Sequence, residues 1–483
     1  MSATRPHHPN PRPRHATPRL TTQPRRDRDR ERAPLQLAPS VRALAPSPTL
    51  EINEAIARRR AVGRDVIHLG FGEASVPLHP TLRAALGAHA RATSYAPVLG
   101  LPALRQAIAA YLARERGLAA DSDRVAVAPG SKPLLYAVIQ SLAGDVLLPV
   151  PAWVSYAPHA RLAGRRVIPV ATDPADAHRL TPDALAAATA RARHAGADPR
   201  ILIVNTPSNP TGGMLARDDV EALAAWARRA GVTILSDEIY AELAHGWRAH
   251  VSPAAFYPEG TIITSGLSKG FAAGGWRLGY ALFPDGAAGR QLLSAVRALA
   301  SEIWSSAATP VQEAAVTAFA PDDEIRAYVR RAAKLYAHAT GRLHATLAQL
   351  AVPCPRPAAA FYLYPDFALW RAPLAERGVA TSTDLARLLL DEHDIATLPG
   401  VAFGEKPAAL RLRLATSLLL RATSAATQTP DERDGQLWEL LERTDALPDD
   451  DPAAGDPLPL PELDRAEQRF ATFVASLGDP AQA

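Results

Sequence analysis

Lys269 is the residue whose type and surroundings most suggest chemistry. The chain has 53 basic residues, but only four are lysines: Lys132, Lys269, Lys334 and Lys406. A desolvated lysine can lose its proton and act as an amine nucleophile, whereas an arginine stays protonated. Lys269 lies in a Gly- and Ser-containing segment, 265–270, directly after the apolar run 261–264. A scarce amine at the end of a predicted strand makes Lys269 a candidate for covalent catalysis.

Other polar residues also follow apolar runs. Asp237 follows the run 232–235, Asn209 lies in the Asn- and Pro-rich segment 205–212, and Gly130-Ser131-Lys132 follows the run 125–128. An isolated Asp at such a place is more often a helix N-cap, since a buried carboxylate needs a cationic partner. Segment 205–212 can be a simple turn. The glycine and serine open a predicted helix whose N–H groups suit an anion, although the full spacing of a nucleotide-binding phosphate loop is missing.

The elements that must position these residues repeat one pattern. Apolar runs end in Gly, Pro, Ser, Asn or Asp, and Ala- and Leu-rich helical stretches follow them. Runs without polar alternation, separated by helices, predict a mostly parallel sheet covered on both faces. Ligands bind beyond the carboxyl ends of such strands, so we expect the polar residues to converge there.

Composition and charge exclude several classes of protein. The net charge of +4 is concentrated in residues 1–33, where nine arginines face three acidic residues, so binding to nucleic acid is not expected. Cys354 is the only cysteine, which rules out an intramolecular disulfide and a cysteine-based zinc site. No apolar run reaches the roughly 20 residues of a membrane helix, and residues 1–34 lack a secretory segment. We expect a cytoplasmic protein with no membrane association.

The order of the motifs is more specific than any one of them. Asn209-Pro210-Thr211-Gly212, the segment 236–240, Ser268-Lys269 and the segment 275–280 follow one another in a spacing that resembles the class I and II aminotransferases. These are pyridoxal-phosphate enzymes of fold type I. The resemblance extends from about Pro39 to about Ser417. It implies an α/β fold with a mostly parallel central sheet covered by helices, plus a smaller α+β domain built from both chain ends.

The same resemblance, together with composition, predicts the domain limits. Residues 1–34 are predicted to be a disordered basic tail, and 35–85 an arm and part of the small domain. Residues 86–330 correspond to the large cofactor-binding domain and 331–483 to the C-terminal small domain. About 40 residues, 418–460, have no counterpart in compact family members and are predicted to form an insertion.

The resemblance also implies a role for each residue around the cofactor, pyridoxal 5'-phosphate. Lys269 would hold it as a Schiff base and move a proton, while Asp237 would pair with the pyridine nitrogen. Tyr240 and Asn209 would hydrogen-bond the ring's phenolic oxygen. Trp153 would stack on the ring, although a lone Trp is more often a core residue.

The phosphate group and the second subunit follow from the same resemblance. The phosphate would lie at Gly130, Ser131 and Lys132, with Ser268 and Arg277 adding a hydroxyl and a charge. Read alone, Arg277 would more often be a surface cation. Tyr95 resembles the tyrosine that reaches the phosphate of a neighbouring subunit, which implies a homodimer with a shared active site.

Three residues are expected to contact the substrate. Arg411 resembles the arginine that binds the substrate α-carboxylate, a bidentate task that suits a guanidinium. Arg413 competes for this role, because alternation along a strand places both arginines on one face. Gly72 would offer its backbone to the same carboxylate. Phe361 would line the pocket, with a core aromatic as an equally plausible alternative.

Together these features predict transfer of an amino group between an amino acid and a 2-oxo acid. Decarboxylation, elimination or cyclisation on the same scaffold is the alternative, because those reactions use the same lysine and aspartate. A cofactor-binding regulator without catalysis is a weaker hypothesis, since residues 1–38 are too short for a DNA-binding domain.

Overall fold

The computed structural model of the chain describes residues 38–42, 44, 46–246, 249–421 and 429–478. The chain divides into two compact units. In the first, Met1–Ala43, the described part is the short helix α1, Pro39–Arg42. The second, Leu44–Ala483, contains all the other elements. The predicted tail, 1–34, lies outside the described residues.

The strands are short and mostly buried. In chain order they are β1 Ile67–His68, β2 Val125–Ala128, β3 Asp145–Val150, β4 Val167–Ala171, β5 Pro199–Asn205, β6 Thr233–Asp237, β7 Thr261–Gly266, β8 Gly279–Leu282, β9 Tyr362–Leu363, β10 Ile395–Ala396, β11 Leu398–Pro399 and β12 Leu412–Ala415.

The remaining helices surround the strands. They are α2 Pro48–Ala61, α3 Pro80–His89, α4 Pro102–Arg116, α5 Ser131–Ser141, α6 Tyr156–Leu162, α7 Pro182–His194, α8 Arg217–Ala230, α9 Gly286–Ile303, α10 Thr309–Ala318, α11 Asp323–Gln349, α12 Arg371–Glu376, α13 Ser382–His393, α14 Pro430–Arg443 and α15 Pro461–Ala475. Many begin with a proline in the first turn, where its missing N–H has no helical partner to lose.

Within the described residues, seven strands form the main sheet in the order β2-β8-β7-β6-β5-β3-β4. Neighbours from β4 to β7 are parallel, and only β8 runs antiparallel to its neighbours. Every residue of β2, β7 and β8 is buried, as expected when helices cover both faces. The predicted mostly parallel sheet is confirmed.

The carboxyl edge of this sheet brings distant parts of the sequence together. Asn205 of β5 lies opposite Asp237 of β6, and Asp237 lies opposite Thr264 of β7. Lys269 follows β7 by three residues. The strand register therefore aligns the residues that sequence spacing alone could not relate.

A second group of strands combines early and late parts of the chain. β9, β12 and β11 form an antiparallel sheet, and β1 pairs in parallel with β10. Buried residues of β1, β9, β10 and β12 share one apolar cluster with α11 and α15. This arrangement accords with a unit built from both chain ends, while the domain limits near residues 85 and 330 stay predictions.

The described part of segment 418–460 packs on α11. A capping box between Thr429 and Glu432 starts α14, which buries Leu437 and Leu441 in the cluster shared with α11. Further along, His338 of α11 contacts the backbone at Pro452 and Leu458. Residues 422–428 lie outside the described part of the chain.

No helix among the described residues is both long enough and apolar enough to cross a membrane.

Candidate active site

Lys269 lies in a loop beyond β7, with its amine turned towards the N-terminal segment. Its Nζ donates to the carbonyl oxygen of Gly72 over 2.5 Å. Burial lowers the pKa of Lys269 to about 8, and Arg413 and Arg277 act in the same direction. A lower pKa leaves more of the amine neutral near physiological pH, which is the form that attacks a carbonyl carbon.

Asp237 is a buried carboxylate, and one of its two oxygens accepts a side-chain hydrogen bond. Its Oδ2 accepts a hydrogen bond from the hydroxyl of Tyr156 at 2.7 Å, and its backbone carbonyl accepts one from the Asn205 side chain at 2.9 Å. Among the described residues, Oδ1 is buried with no hydrogen-bond partner. Burial raises the pKa of Asp237 to about 6, against the lowering effect of Tyr156. A protonated ring nitrogen would supply the missing partner, so this carboxylate fits pyridoxal phosphate.

Tyr240 and Asn209 lie on either side of this carboxylate in the sequence and reach the same site. The Tyr240 hydroxyl is 2.7 Å from that of Tyr362, and its ring centre is 5.9 Å from Nζ of Lys269. The Asn209 backbone N–H donates to Oδ1 of Asn205 at 2.8 Å. Both Tyr240 and Asn209 are buried, so their polar atoms need partners inside the site.

The start of α5 forms an anion cradle with Arg277. Gly130 has a φ of 92°, and a Cβ there would lie 2.6 Å from Nη2 of Arg277. A Cβ at Gly279 would lie 2.2 Å from the backbone nitrogen of Ser131. Gly130 lets the guanidinium approach the helix start, and Gly279 lets the backbone of β8 approach the same point. N–H groups of a helix start beside a guanidinium suit a phosphate. Ser268, half-buried, precedes the lysine in the adjoining loop.

Trp153 is half-buried beside this cradle. Its ring packs edge-on against Tyr156 at 5.1 Å between centroids, and Nζ of Lys132 lies 5.1 Å from the Trp153 ring centre. Burial and the charge of Arg277 lower the pKa of Lys132. The Lys132 side chain thus lies along an aromatic wall, whereas its backbone belongs to the helix start.

The structure places Arg411 between two acidic side chains. The guanidinium of Arg411 is paired with Asp366 through Nε at 2.8 Å and with Glu405 through Nη1 at 2.6 Å. The backbone bridge between Asp366 and Arg411 sets these two side chains against each other. Arg411 thus already has two carboxylate partners, and its role as the substrate arginine stays a prediction.

Arg413, the competing arginine, lies beside Gly70 and Asn209. It is 1% exposed, its Nη2 donates to the Gly70 carbonyl at 2.5 Å, and its Nη1 lies 3.5 Å from Oδ1 of Asn209. Its guanidinium stacks over Tyr362 and Phe403, with distances of 5.1 and 5.5 Å to the ring centres. No acidic side chain among the described residues forms an ion pair with it. A buried cation without a counter-ion is costly, and an incoming carboxylate would relieve that cost.

The remaining predicted residues lie in different surroundings. Gly72 supplies the carbonyl that Lys269 contacts, and Phe361 is fully buried with its ring centre 5.8 Å from Nζ of Lys269. Phe361 also packs on Tyr336 at 5.0 Å, so it is both a core residue and a wall of the site. Tyr95 is 94% exposed on this single chain.

Two residues of the site escaped the sequence reasoning. Tyr156, whose hydroxyl donates to Asp237, begins α6 three residues after Trp153. This short spacing from a predicted site residue could have identified Tyr156 as a candidate. Tyr362 lies next to Phe361 and contacts Tyr240, but a strand-end tyrosine beside an aromatic residue is also what a core position looks like.

Comparison with known proteins identifies the class. The family model described as aminotransferase class I and II matches residues 64–419. The chain therefore belongs to that family, whose enzymes use pyridoxal phosphate and have fold type I. It is an aminotransferase, as the sequence predicted.

Individual relatives agree with this membership. The chain is similar to an aspartate aminotransferase from Geobacillus stearothermophilus, 35% identical over 393 residues that cover 80% of this chain and 95% of the relative. An aspartate/prephenate aminotransferase from Thermus thermophilus is 32% identical, covering 79% and 94%. The solved structure of the Thermus thermophilus aspartate aminotransferase with maleate superposes with a TM-score of 0.72 at 29% identity, covering 85% and 98%.

Proposed function

We propose that this aminotransferase moves an amino group between an amino acid and a 2-oxo acid, with pyridoxal 5'-phosphate bound covalently to Lys269. The observation that carries the proposal is the placement of a buried carboxylate, Asp237, and a half-buried amine, Lys269, at one edge of the sheet. Asp237 keeps one carboxylate oxygen free for a ring nitrogen, and Lys269 has a pKa near 8 that suits an amine nucleophile. When bound, the cofactor withdraws electrons from the substrate α-carbon and so weakens its C–H bond.

In this proposal the protein orients the cofactor at both ends. Asp237 would hold the ring nitrogen in its protonated form, and Tyr240 and Asn209 would hydrogen-bond the phenolic oxygen. The N–H groups of the α5 start, with Ser268 and Arg277, would receive the phosphate. Trp153 would pack against the ring face. Lys269 would accept and return the proton of the substrate α-carbon as a general base.

The substrate carboxylate is assigned to Arg413. Its stacking on Tyr362 and Phe403 fixes the guanidinium plane, and its contacts with Gly70 and Asn209 leave it without an acidic partner in the described structure. A planar carboxylate can then form a bidentate pair at little entropic cost. Gly72 has no side chain to obstruct this approach.

Dicarboxylic amino acids such as aspartate are the proposed substrates. Two relatives carry aspartate in their names, and such a substrate needs a second cation. Lys132 supports this choice, because its ammonium lies over Trp153 and has no ion-pair partner among the residues that the structure describes. We assign the distal carboxylate to Lys132.

A homodimer and a cytoplasmic location complete the proposal. A tyrosine 94% exposed on one chain is what a residue reaching into a second subunit requires, and Tyr95 would meet the partner's phosphate. The single cysteine suits a reducing compartment. A sedimentation measurement that finds a monomer at micromolar concentration would contradict the shared site.

The deciding experiment follows the visible spectrum of the protein with added pyridoxal phosphate through two half-reactions. Aspartate alone should convert the lysine-bound cofactor to its amine form, and a 2-oxo acid should then restore the original spectrum. Release of carbon dioxide or ammonia without that amine form would instead indicate a decarboxylase or lyase. The Lys269→Arg variant keeps a cation and should show neither conversion.

A further inference from the structure

Tyr362 stands where three parts of the proposed site meet. It is fully buried in β9, and its hydroxyl oxygen lies 2.7 Å from that of Tyr240. The Arg413 guanidinium lies 5.1 Å from its ring centre. A Cβ at Gly72 would lie only 2.1 Å from the Tyr362 hydroxyl, so this oxygen directly adjoins the backbone that Lys269 contacts.

Counting protons fixes the direction of the hydrogen bond between the two tyrosines. Each hydroxyl has one proton to donate. If Tyr240 gives its proton to the cofactor's phenolic oxygen, the proton between the two tyrosines must come from Tyr362. Successive donors polarise one another in a buried chain, so the bond from Tyr362 strengthens the bond that Tyr240 makes.

The ring of Tyr362 has a separate task. Arg413 lies over it and also over Phe403, which holds the guanidinium between two aromatic faces. The hydroxyl therefore acts towards the cofactor, and the ring acts towards the substrate carboxylate. These two contributions can be removed one at a time.

We propose that Tyr362 is a positioning residue of the aminotransferase site, whose hydroxyl strengthens the hold of Tyr240 on the cofactor's phenolic oxygen and whose ring fixes Arg413 for the substrate carboxylate. The inference rests on the proposed function, because it assigns the phenolic oxygen to Tyr240 and the carboxylate to Arg413. Tyr362 acts through Tyr240 and Arg413, and no direct contact with the reacting atoms is assigned to it.

The hydroxyl is tested by Tyr362→Phe and a pH titration of the absorbance of the lysine-bound cofactor. Weaker donation from Tyr240 leaves more negative charge on the phenolic oxygen. That charge stabilises the protonated form of the nearby nitrogen through which Lys269 would hold the cofactor. The midpoint should move upward by about half a pH unit or more. Glu73, Arg413, Arg277 and Asp237, the charges that act on Lys269, are unchanged in this variant.

Tyr364→Phe is the matched control. Tyr364 lies two residues along the same segment and is equally buried, but its hydroxyl donates to Glu405 at 2.7 Å. Its loss should leave the titration midpoint where the unaltered protein has it. An equal shift in both variants, or none in Tyr362→Phe, would overturn the role of the hydroxyl.

Two more variants test the same roles if Tyr362→Phe does not fold. Gly72→Ala pushes against the Tyr362 hydroxyl while keeping it, and should shift the midpoint in the same direction. Tyr362→Leu removes the ring as well, and should raise KM for the amino acid about tenfold beyond the effect of Tyr362→Phe. Identical KM values for the Phe and Leu variants would overturn the role of the ring.

The outcome distinguishes failure of this inference from failure of the proposed function on which it rests. If the unaltered protein shows no absorbance from bound cofactor, the proposed function itself fails. If that absorbance titrates normally and Tyr362→Phe titrates at the same pH, only the role of Tyr362 fails.

Discussion

The hydroxyl of Tyr156 lies 2.7 Å from Oδ2 of Asp237, and both side chains are buried. This bond occupies one carboxylate oxygen, and the other is buried with no hydrogen-bond partner among the described residues. Because a tyrosine donates only one proton, it orients the carboxylate without neutralising it. The aspartate is thus held in place and kept available for a cation.

Removal of the Tyr156 hydroxyl should weaken the carboxylate's hold on the cofactor. The hydrogen bond lowers the pKa of Asp237, so Tyr156→Phe raises that pKa further and reduces the charged fraction. We expect kcat/KM to fall about tenfold, the value of one hydrogen bond to a charged group. Tyr136→Phe, a tyrosine of α5 whose ring lies 6.2 Å from that of His159, is the control and should be nearly neutral. Equal kinetics for both variants would contradict this role.

Arg413 and Arg411 should behave differently when each is changed to glutamine. Loss of Arg413 removes the proposed partner of the substrate carboxylate, so kcat/KM should fall by about 10- to 100-fold. Loss of Arg411 frees Asp366 and Glu405 and should lower the melting temperature while changing kcat/KM far less. The opposite ranking in steady-state kinetics would return the carboxylate to Arg411.

Lys132→Met should act selectively on acidic substrates. The variant keeps the backbone N–H groups of the helix start, but removes the cation over Trp153. We expect KM to rise about tenfold for aspartate and little for alanine. Lys334→Met is the control, because Lys334 lies on α11 and is paired with Asp449. An equal loss with both amino acids would place Lys132 on the cofactor phosphate instead.

Uptake of the cofactor should depend on pH through Lys269. Burial disfavours the charged ammonium, which lowers the pKa from 10.5 to about 8 and leaves the amine neutral above that pH. Since the neutral amine is the nucleophile, the rate of covalent binding should rise from about pH 7 and level off by about pH 9. Stopped-flow absorbance measures this rate, with Lys269→Ala as the blank. A midpoint near pH 10 would show that the amine is not desolvated.

His338 should make stability depend on pH. Its Nδ1 lies 2.8 Å from the Pro452 carbonyl and its Nε2 lies 3.2 Å from the Leu458 nitrogen, so only a neutral ring can donate at one atom and accept at the other. Burial lowers its pKa below the usual 6.5. This contribution to stability is therefore complete above pH 6.5 and is lost as the pH falls through the lower folded-state pKa.

Urea unfolding of the unaltered protein and of His338→Gln measures that contribution. At pH 8 the variant should be less stable by about 1–2 kcal/mol. The difference should shrink as the pH is lowered from 6.5 towards 5. A difference that stays constant over this range would contradict the neutral-ring contact.

The sequence predicted the parallel sheet because its strands are continuous apolar runs, which only a sheet covered on both faces allows. Lys269 and Asp237 were found through their position after such runs. Arg413 was predicted only as a competitor of Arg411, because strand alternation places both arginines on the same face. What distinguishes the two is the presence of Asp366 opposite Arg411, and no local pattern encodes that pairing.

The contact between Arg413 and the Gly70 carbonyl spans 343 residues of sequence. During synthesis, the segment with Gly70 and Gly72 leaves the ribosome long before β12 exists, and domains generally begin to fold from the N-terminal side. The large sheet can form earlier, since its strands end at Leu282. Nascent chains that stop before Arg413 would lack the proposed carboxylate site however well that sheet has folded, so substrate recognition is among the last properties this protein acquires.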